Sequence, residues 1–360
     1  MQQKSGTVSI AILCSCAILS KYLVILPEYM VKYVGNSAWL DVLAKSAIAT
    51  LSLLIVLWLY KPFAPMSFTD TFSLAFGKAG KVFFSYLYVI LFTLFNSTLL
   101  RLLVEALSTV MATTAPDEFF ALFIICAVFV AAYSGTRATS NLSLIIFPLV
   151  IATIFTVVFA LLPHYRTEYV MPILGISGKR LLKGIFVKHF GFAETILLLF
   201  FAPLLGDYKR IKRSGLLTYG IITLISVAFT AAYCLTVPYP ASTKFFLPFY
   251  QMTRMIKSGA FLQRLEPIVV FVWTSFVMCS MSILISIGAR LLADSSEHAR
   301  KSSFVPVVTI ITFFTAMLPV SESAAFMFYE KLLSASTVLF PTAPVIILTV
   351  ARLRKRGSLR

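Results

Sequence analysis

The sequence predicts an all-α integral membrane protein with ten transmembrane helices in two sets of five. Three observations carry that class: 59% of the 360 residues are hydrophobic, only 12% are charged, and the mean hydropathy is +0.92. An ordinary soluble domain is about half apolar and a quarter charged, so a soluble globule, a disordered tail and a disulfide scaffold are excluded. One crossing uses roughly 20 residues, and the apolar content suffices for about ten.

Apolar runs between charged or proline-rich breaks place the first five helices at about 7–26, 40–60, 82–103, 119–133 and 142–162. Lys4 before the first run, and Cys14 and Cys16 within it, loosely resemble a lipoprotein leader, but no polar tether follows and the segment is taken as the first span. A polar loop carrying Arg166, Lys179, Arg180 and Lys183 separates the halves. The second five fall at about 184–203, 215–237, 267–289, 304–319 and 332–350. The chain is thus a single transmembrane domain over 1–360, with repeat one at about 7–162, repeat two at about 184–350 and a basic cytoplasmic tail at 351–360. Five helices entering from one side and five from the other is the pattern of an inverted repeat, which directs attention to the first helix of each half.

The net charge of +17 has a topological cause. With ten spans, the face holding both termini carries 17 Lys and Arg and the opposite face 10. The positive-inside rule then puts both termini in the cytoplasm, with the cluster Lys209, Arg210, Lys212 and Arg213 and the tail Arg352, Arg354, Lys355 and Arg356 on that side. No basic and aromatic stripe suited to a nucleic-acid groove accompanies them. Five cysteines in apolar runs and three scattered histidines offer no disulfide or metal-ligand pattern. Enzyme signatures are absent as well, and no cofactor is expected.

A charge in hydrocarbon costs at least about 2.5–3.5 kcal/mol, so each one needs a partner, a cavity or a route to water. Lys21 lies near the end of span 1, where it either snorkels outward or is held as a cation at a helix interruption before Pro27. Glu194 lies mid-span in span 6, too deep for a short side chain to reach water, and must be protonated, paired or facing a cavity. Arg101 and Glu105 share a helix face at i, i+4, as do Asp41 and Lys45, and both read as structural ion pairs at the interface. Arg264 and Glu266 precede Pro267, with Trp273 expected as an interfacial anchor.

Several segments together resemble the B subunit of bacterial endospore germinant receptors, the spore-germination permease-like family within the amino acid/polyamine/organocation superfamily. They are Leu26-Pro27, Ala38-Trp39-Leu40, Gly77-Lys78, Arg101 with Glu105, Phe147-Pro148 and Pro172-Ile173-Leu174-Gly175. Further along come Phe190-Gly191-Phe192-Ala193-Glu194 with Pro203, and Arg264-Leu265-Glu266 with Trp273. The resemblance spans essentially the whole chain. It implies a LeuT-like 5+5 transporter fold with helices 1 and 6 interrupted, and a ligand site between spans 1, 3, 6 and 8 lined by Ser20, Lys21, Tyr22, Phe192, Ala193 and Glu194. It also implies a spore inner-membrane protein that binds an amino acid-like germinant and joins a large soluble-domain A-type subunit and a lipoprotein C-type subunit. Span 1 departs from the superfamily's small-residue break with Ser20-Lys21-Tyr22, and span 6 carries Gly191 and Ala193 where Pro and Gly are expected. A proton-coupled amino acid transporter and an assembly subunit without its own ligand stay open beside the receptor reading.

Overall fold

The computed structural model describes residues 6–24, 26–111, 115–187, 194–245, 247–256, 266–296, 301–319 and 321–357, and every regular element among them is helical. Helix α1 (Thr7–Val24) is apolar on all sides, and residues from Ile10 to Leu23 are nearly all buried, so it runs through the middle of the bundle rather than along its surface. Proline lacks an amide donor and clashes with the carbonyl four residues back. Pro27 is instead the second residue of a separate helix, α2 (Leu26–Val34), which follows the first span expected at about 7–26. A 3₁₀ turn, Gly35–Ser37, leads into α3 (Ala38–Tyr60).

Helix α4 (Phe68–Met111) is two helical segments joined at a kink: Gly77, at φ 72°, is non-helical, and the segment after it carries Lys78 and Lys81 in its first turn and so starts close to the expected position 82. Helices α5 (Asp117–Tyr133) and α6 (Gly135–Ala160) are separated by Ser134 alone. The loop after α6 docks on the α2–α3 turn. Gly175 (φ 67°) sits against Val34 and Ser37, and Asn36 Nδ2 donates to the Met171 carbonyl at 2.8 Å. Helix α7 (Gly178–Val187) follows, then the 3₁₀ turn Glu194–Ile196 and α8 (Leu197–Leu205), which Gly206 caps in the left-handed conformation.

The remaining helices are α9 (Tyr208–Thr236), α10 (Pro248–Arg254), α11 (Glu266–Ser295), α12 (Val305–Ala316) and α13 (Glu322–Gly357), which contains Pro341 and Pro344. Among the described residues, six helical stretches are long and apolar enough to cross a membrane: 29–63, 68–111, 135–160, 208–236, 266–295 and 323–355. The other crossings of the ten-span expectation fall on shorter or divided helices: α1, α5, α12 and the α7–α8 region.

Helices α1, α4 and α11 form the centre, with α9 and α3 packed on one side, α6 on another and α13 across α4. Many buried hydroxyls return to the carbonyl one turn back on their own helix, as Ser97 does to Thr93 and Thr309 to Val305, which satisfies those donors within the core. The polarity is inverted outside. Trp58, Phe119, Phe123, Phe271 and Phe314 project outward, an apolar coat suited to lipid. Trp273, expected as an interfacial anchor, is instead buried in the core, and Cys126, expected as a buried hydrophobe, is exposed on that coat.

Residues 351–357 continue α13. Arg352 donates to the carbonyls of Leu59 (2.9 Å) and Trp58 and lies 4.5 Å over the Trp58 ring, while Lys355 donates to the Pro62 carbonyl at 3.0 Å. Replacing Arg352 with Gln removes two charge-assisted hydrogen bonds and a cation–π contact. It is expected to cost about 1–3 kcal/mol, seen as a lower midpoint in thermal unfolding of the detergent-purified protein.

Candidate functional site

The two charges that sequence places deepest come together. Lys21 sits in the last turn of α1 and is 1% exposed; Glu194 opens the 3₁₀ turn before α8 and is 2% exposed. Lys21 Nζ and Glu194 Oε1 form a buried ion pair across 173 positions of sequence. Lys21 therefore does not snorkel to the interface. The helix ends explain the placement. The carbonyl end of α1 favours a cation and the amide end of the Glu194 turn favours an anion, so each charge meets a partial charge of the opposite sign as well as its partner.

Aromatic rings wall the pair. Lys21 Nζ lies 4.5 Å from the Phe95 centroid, Phe95 stacks on Phe340 of α13 at 5.8 Å, and Phe340 stacks on Phe92 at 6.0 Å. Phe200 of α8 and Tyr88 extend the cluster. Tyr219 of α9 and Tyr329 of α13, both buried, lie within electrostatic reach of the Glu194 carboxylate. Among the described residues, Glu194 Oε2 and the Tyr329 hydroxyl are buried with no hydrogen-bond partner, which leaves acceptor and donor capacity at the site.

The other expected site residues divide. Ser20 is fully buried beside Lys21 and its hydroxyl returns to the Ala17 carbonyl at 3.5 Å, which also accepts from Ser280 of α11 at 3.3 Å. Tyr22 points to α9, bonding the Ser226 carbonyl at 3.1 Å and the Thr230 hydroxyl, and so ties α1 to α9. Phe192 and Ala193 lie outside the described residues.

Residues 6–325 match the Spore_permease family model, described as spore germination protein. The chain belongs to that family. "Spore germination protein XB" of Bacillus anthracis is 22% identical over 346 residues, which cover 93% of this chain and 94% of that one. Among solved structures, Mhp1, a nucleobase-cation-symport-1 family transporter with bromovinylhydantoin bound, aligns over 96% of this chain and 78% of its own with a TM-score of 0.65 at 14% identity. A Na+-coupled sialic acid symporter aligns over 92% and 76% (TM-score 0.61, 10% identity). MhsT in complex with L-phenylalanine aligns over 98% and 97% (TM-score 0.59, 12% identity). The spore permease chain therefore has the LeuT-like transporter fold.

Two further polar clusters of this spore permease surround the centre. Arg101 Nε pairs with Glu105 Oε1 at 2.7 Å, and its Nη2 reaches Asp117 Oδ2 of α5 at 3.5 Å. The i, i+4 spacing anticipated the first contact but not the second, which crosses to another helix. Lys45 Nζ pairs with Asp41 Oδ2 at 2.5 Å, and both side chains are buried. Glu266 opens α11, while Arg264 lies outside the described residues. Sequence reasoning missed a tyrosine pair: Tyr29 and Tyr33 of α2 donate to one oxygen of Glu330 on α13 at 2.5 and 2.8 Å. It also missed Phe95, Phe340, Tyr219 and Tyr329. With 33 Phe and 15 Tyr in the chain, nothing local distinguished these from ordinary core residues.

Among the described residues, no group of three or more His, Cys, Asp or Glu is placed to hold a metal ion.

Proposed function

We propose that this chain is the permease-like subunit of a spore germinant receptor, binding a small amino acid-like germinant and passing the signal to A-type and C-type partner subunits. The buried Lys21–Glu194 pair carries the reading. It joins the last turn of α1 to the turn before α8, so a ligand that competes for either charge acts on the two helix ends at once. Lys21 and Glu194 contact the ligand beside Ser20, Tyr22 holds α1 in place, and Phe192 and Ala193 are expected from the sequence alone as further ligand contacts. In this reading the chain crosses the spore inner membrane ten times, with repeats at 7–162 and 184–350, helices 1 and 6 interrupted, and both termini cytoplasmic. Family membership supports the germination role. The small molecules named with the transporters of similar fold support a small-ligand site in this scaffold.

Thermal unfolding of the purified protein against a panel of amino acids tests the site. A ligand present at 100 times its Kd contributes about 2.7 kcal/mol and raises the midpoint. A flat response across the panel, with the proposed A-type and C-type subunits present, refutes a ligand site and leaves the assembly subunit. The unpartnered Glu194 Oε2 favours a second reading, a proton-coupled transporter in which Glu194 carries the proton. Saturable uptake into proteoliposomes driven by a proton gradient establishes it, while binding without flux rejects it.

A further inference from the structure

We propose that the outer face of α9 binds one anionic phospholipid, its phosphodiester held by Lys209, Lys212 and Arg213 and one acyl chain lying along Leu216, Gly220 and Leu224. A shallow, open hollow of about 540 Å³, lined by α9 alone, runs along this face. The three cations stand at one end, and Leu216, Leu217, Gly220, Ile221 and Leu224 line the rest. These positions recur at three and four residues, so they form one stripe on one helix face. Lys209, Lys212 and Arg213 are exposed, and no carboxylate among the described residues pairs with them. Below them the stripe is apolar without interruption, with Leu216 and Leu224 open to the surroundings at 40% and 67% exposure.

Length selects the occupant. From Arg213 to Leu224 the helix rises about 16 Å, close to the roughly 15 Å of hydrocarbon in a single leaflet. A free phosphate would use the cations and leave the apolar length without a role. Gly220 leaves a gap between the flanking leucine side chains that opens to the surroundings, since a Cβ built there meets nothing within 4 Å. Glycine is a poorer helix former than alanine in an exposed helical stretch, so its presence is not explained by helix stability. The site is separate from the Lys21–Glu194 pair and does not depend on the germinant reading.

The test uses the full-length detergent-purified protein, titrated with dioleoyl phosphatidylglycerol, dioleoyl phosphatidylcholine or inorganic phosphate, with bound molecules counted by native mass spectrometry. One phosphatidylglycerol is expected to bind ahead of phosphatidylcholine, with phosphate competing weakly. The triple change Lys209→Gln, Lys212→Gln and Arg213→Gln is expected to weaken phosphatidylglycerol by about a hundredfold, at about 1 kcal/mol for each basic residue. Gly220→Leu fills the hollow without introducing charge. It is expected to weaken the lipid while leaving phosphate unchanged and the unfolding midpoint equal or higher. Three results overturn the proposal: equal retention of the two lipids, phosphatidylglycerol binding that survives the triple change, or binding that is lost with the cations but indifferent to Gly220→Leu, which would describe an anion site only.

Discussion

Lys21→Met is expected to destabilise the protein by about 3–5 kcal/mol, and Glu194→Gln by a comparable amount, whereas the double variant loses much less. Removing one partner of a buried pair leaves the other charge in a low-dielectric interior with nothing to compensate it, while removing both replaces the pair with neutral groups of similar shape. The lone ammonium left by Glu194→Gln keeps the Phe95 ring face and the carbonyl end of α1, so that single change should be the milder of the two. Thermal or denaturant unfolding of the four proteins gives the coupling energy directly. A loss in the double variant equal to the sum of the two single losses would show that the two charges do not act as a pair. Ligand response separates stability from function: the double variant is expected to fold and to show no midpoint shift with any germinant that stabilises the wild type.

Gly175→Ala should cost about 2–5 kcal/mol. A non-glycine residue in the left-handed region loses about 1–2 kcal/mol. The added methyl would also fall 2.6 Å from the Val34 carbonyl oxygen and 2.5 Å from Ser37 Oγ, an overlap with backbone that adds about 1–3 kcal/mol. Relief requires the loop to lift off the Gly35–Ser37 turn, so trypsin should cut at Arg166 and Lys179 faster than in the wild type. Gly178→Ala is the control. It lies three residues on, has no positive φ and no neighbour within 4 Å, and should change stability by no more than about 0.5 kcal/mol. A similar loss at both positions would mean that flexibility of the segment, rather than docking at Gly175, is what matters.

The sequence revealed those parts of the fold in which hydrophobic run length and helix length coincide. Helices α3, α9 and α11 begin and end close to where their apolar runs do, as extensions of a turn or two in polar residues that still favour helix. It was less informative at α4 and α1. The break at Gly77 depends on one backbone conformation, and that at Pro27 on whether the proline kinks one helix or starts another. At the site, charge was legible because an ionised group in an apolar run is costly wherever it lies, and this singled out Lys21 and Glu194 without structural knowledge. Their aromatic wall was not, because stacking of Phe95 on Phe340 joins residues 245 positions apart and leaves no periodic signature. The Tyr29–Tyr33–Glu330 cluster went unseen for the same reason.

Helix α13 carries a joint at the level of the site. Pro341 and Pro344 cannot donate to the carbonyls of Thr337 and Phe340, so two rungs of its hydrogen-bond ladder, three residues apart, are missing beside the ring that stacks on Phe95. On one side of that joint are Tyr329, Glu330 and Phe340; on the other is Arg352, clasped to the end of α3. Bending therefore costs less at the joint than elsewhere along the rod. The segment facing the ion pair is tied to α2 through Glu330 and the other to the end of α3 through Arg352, so a bend at the joint would move α2 and the ion pair relative to α3.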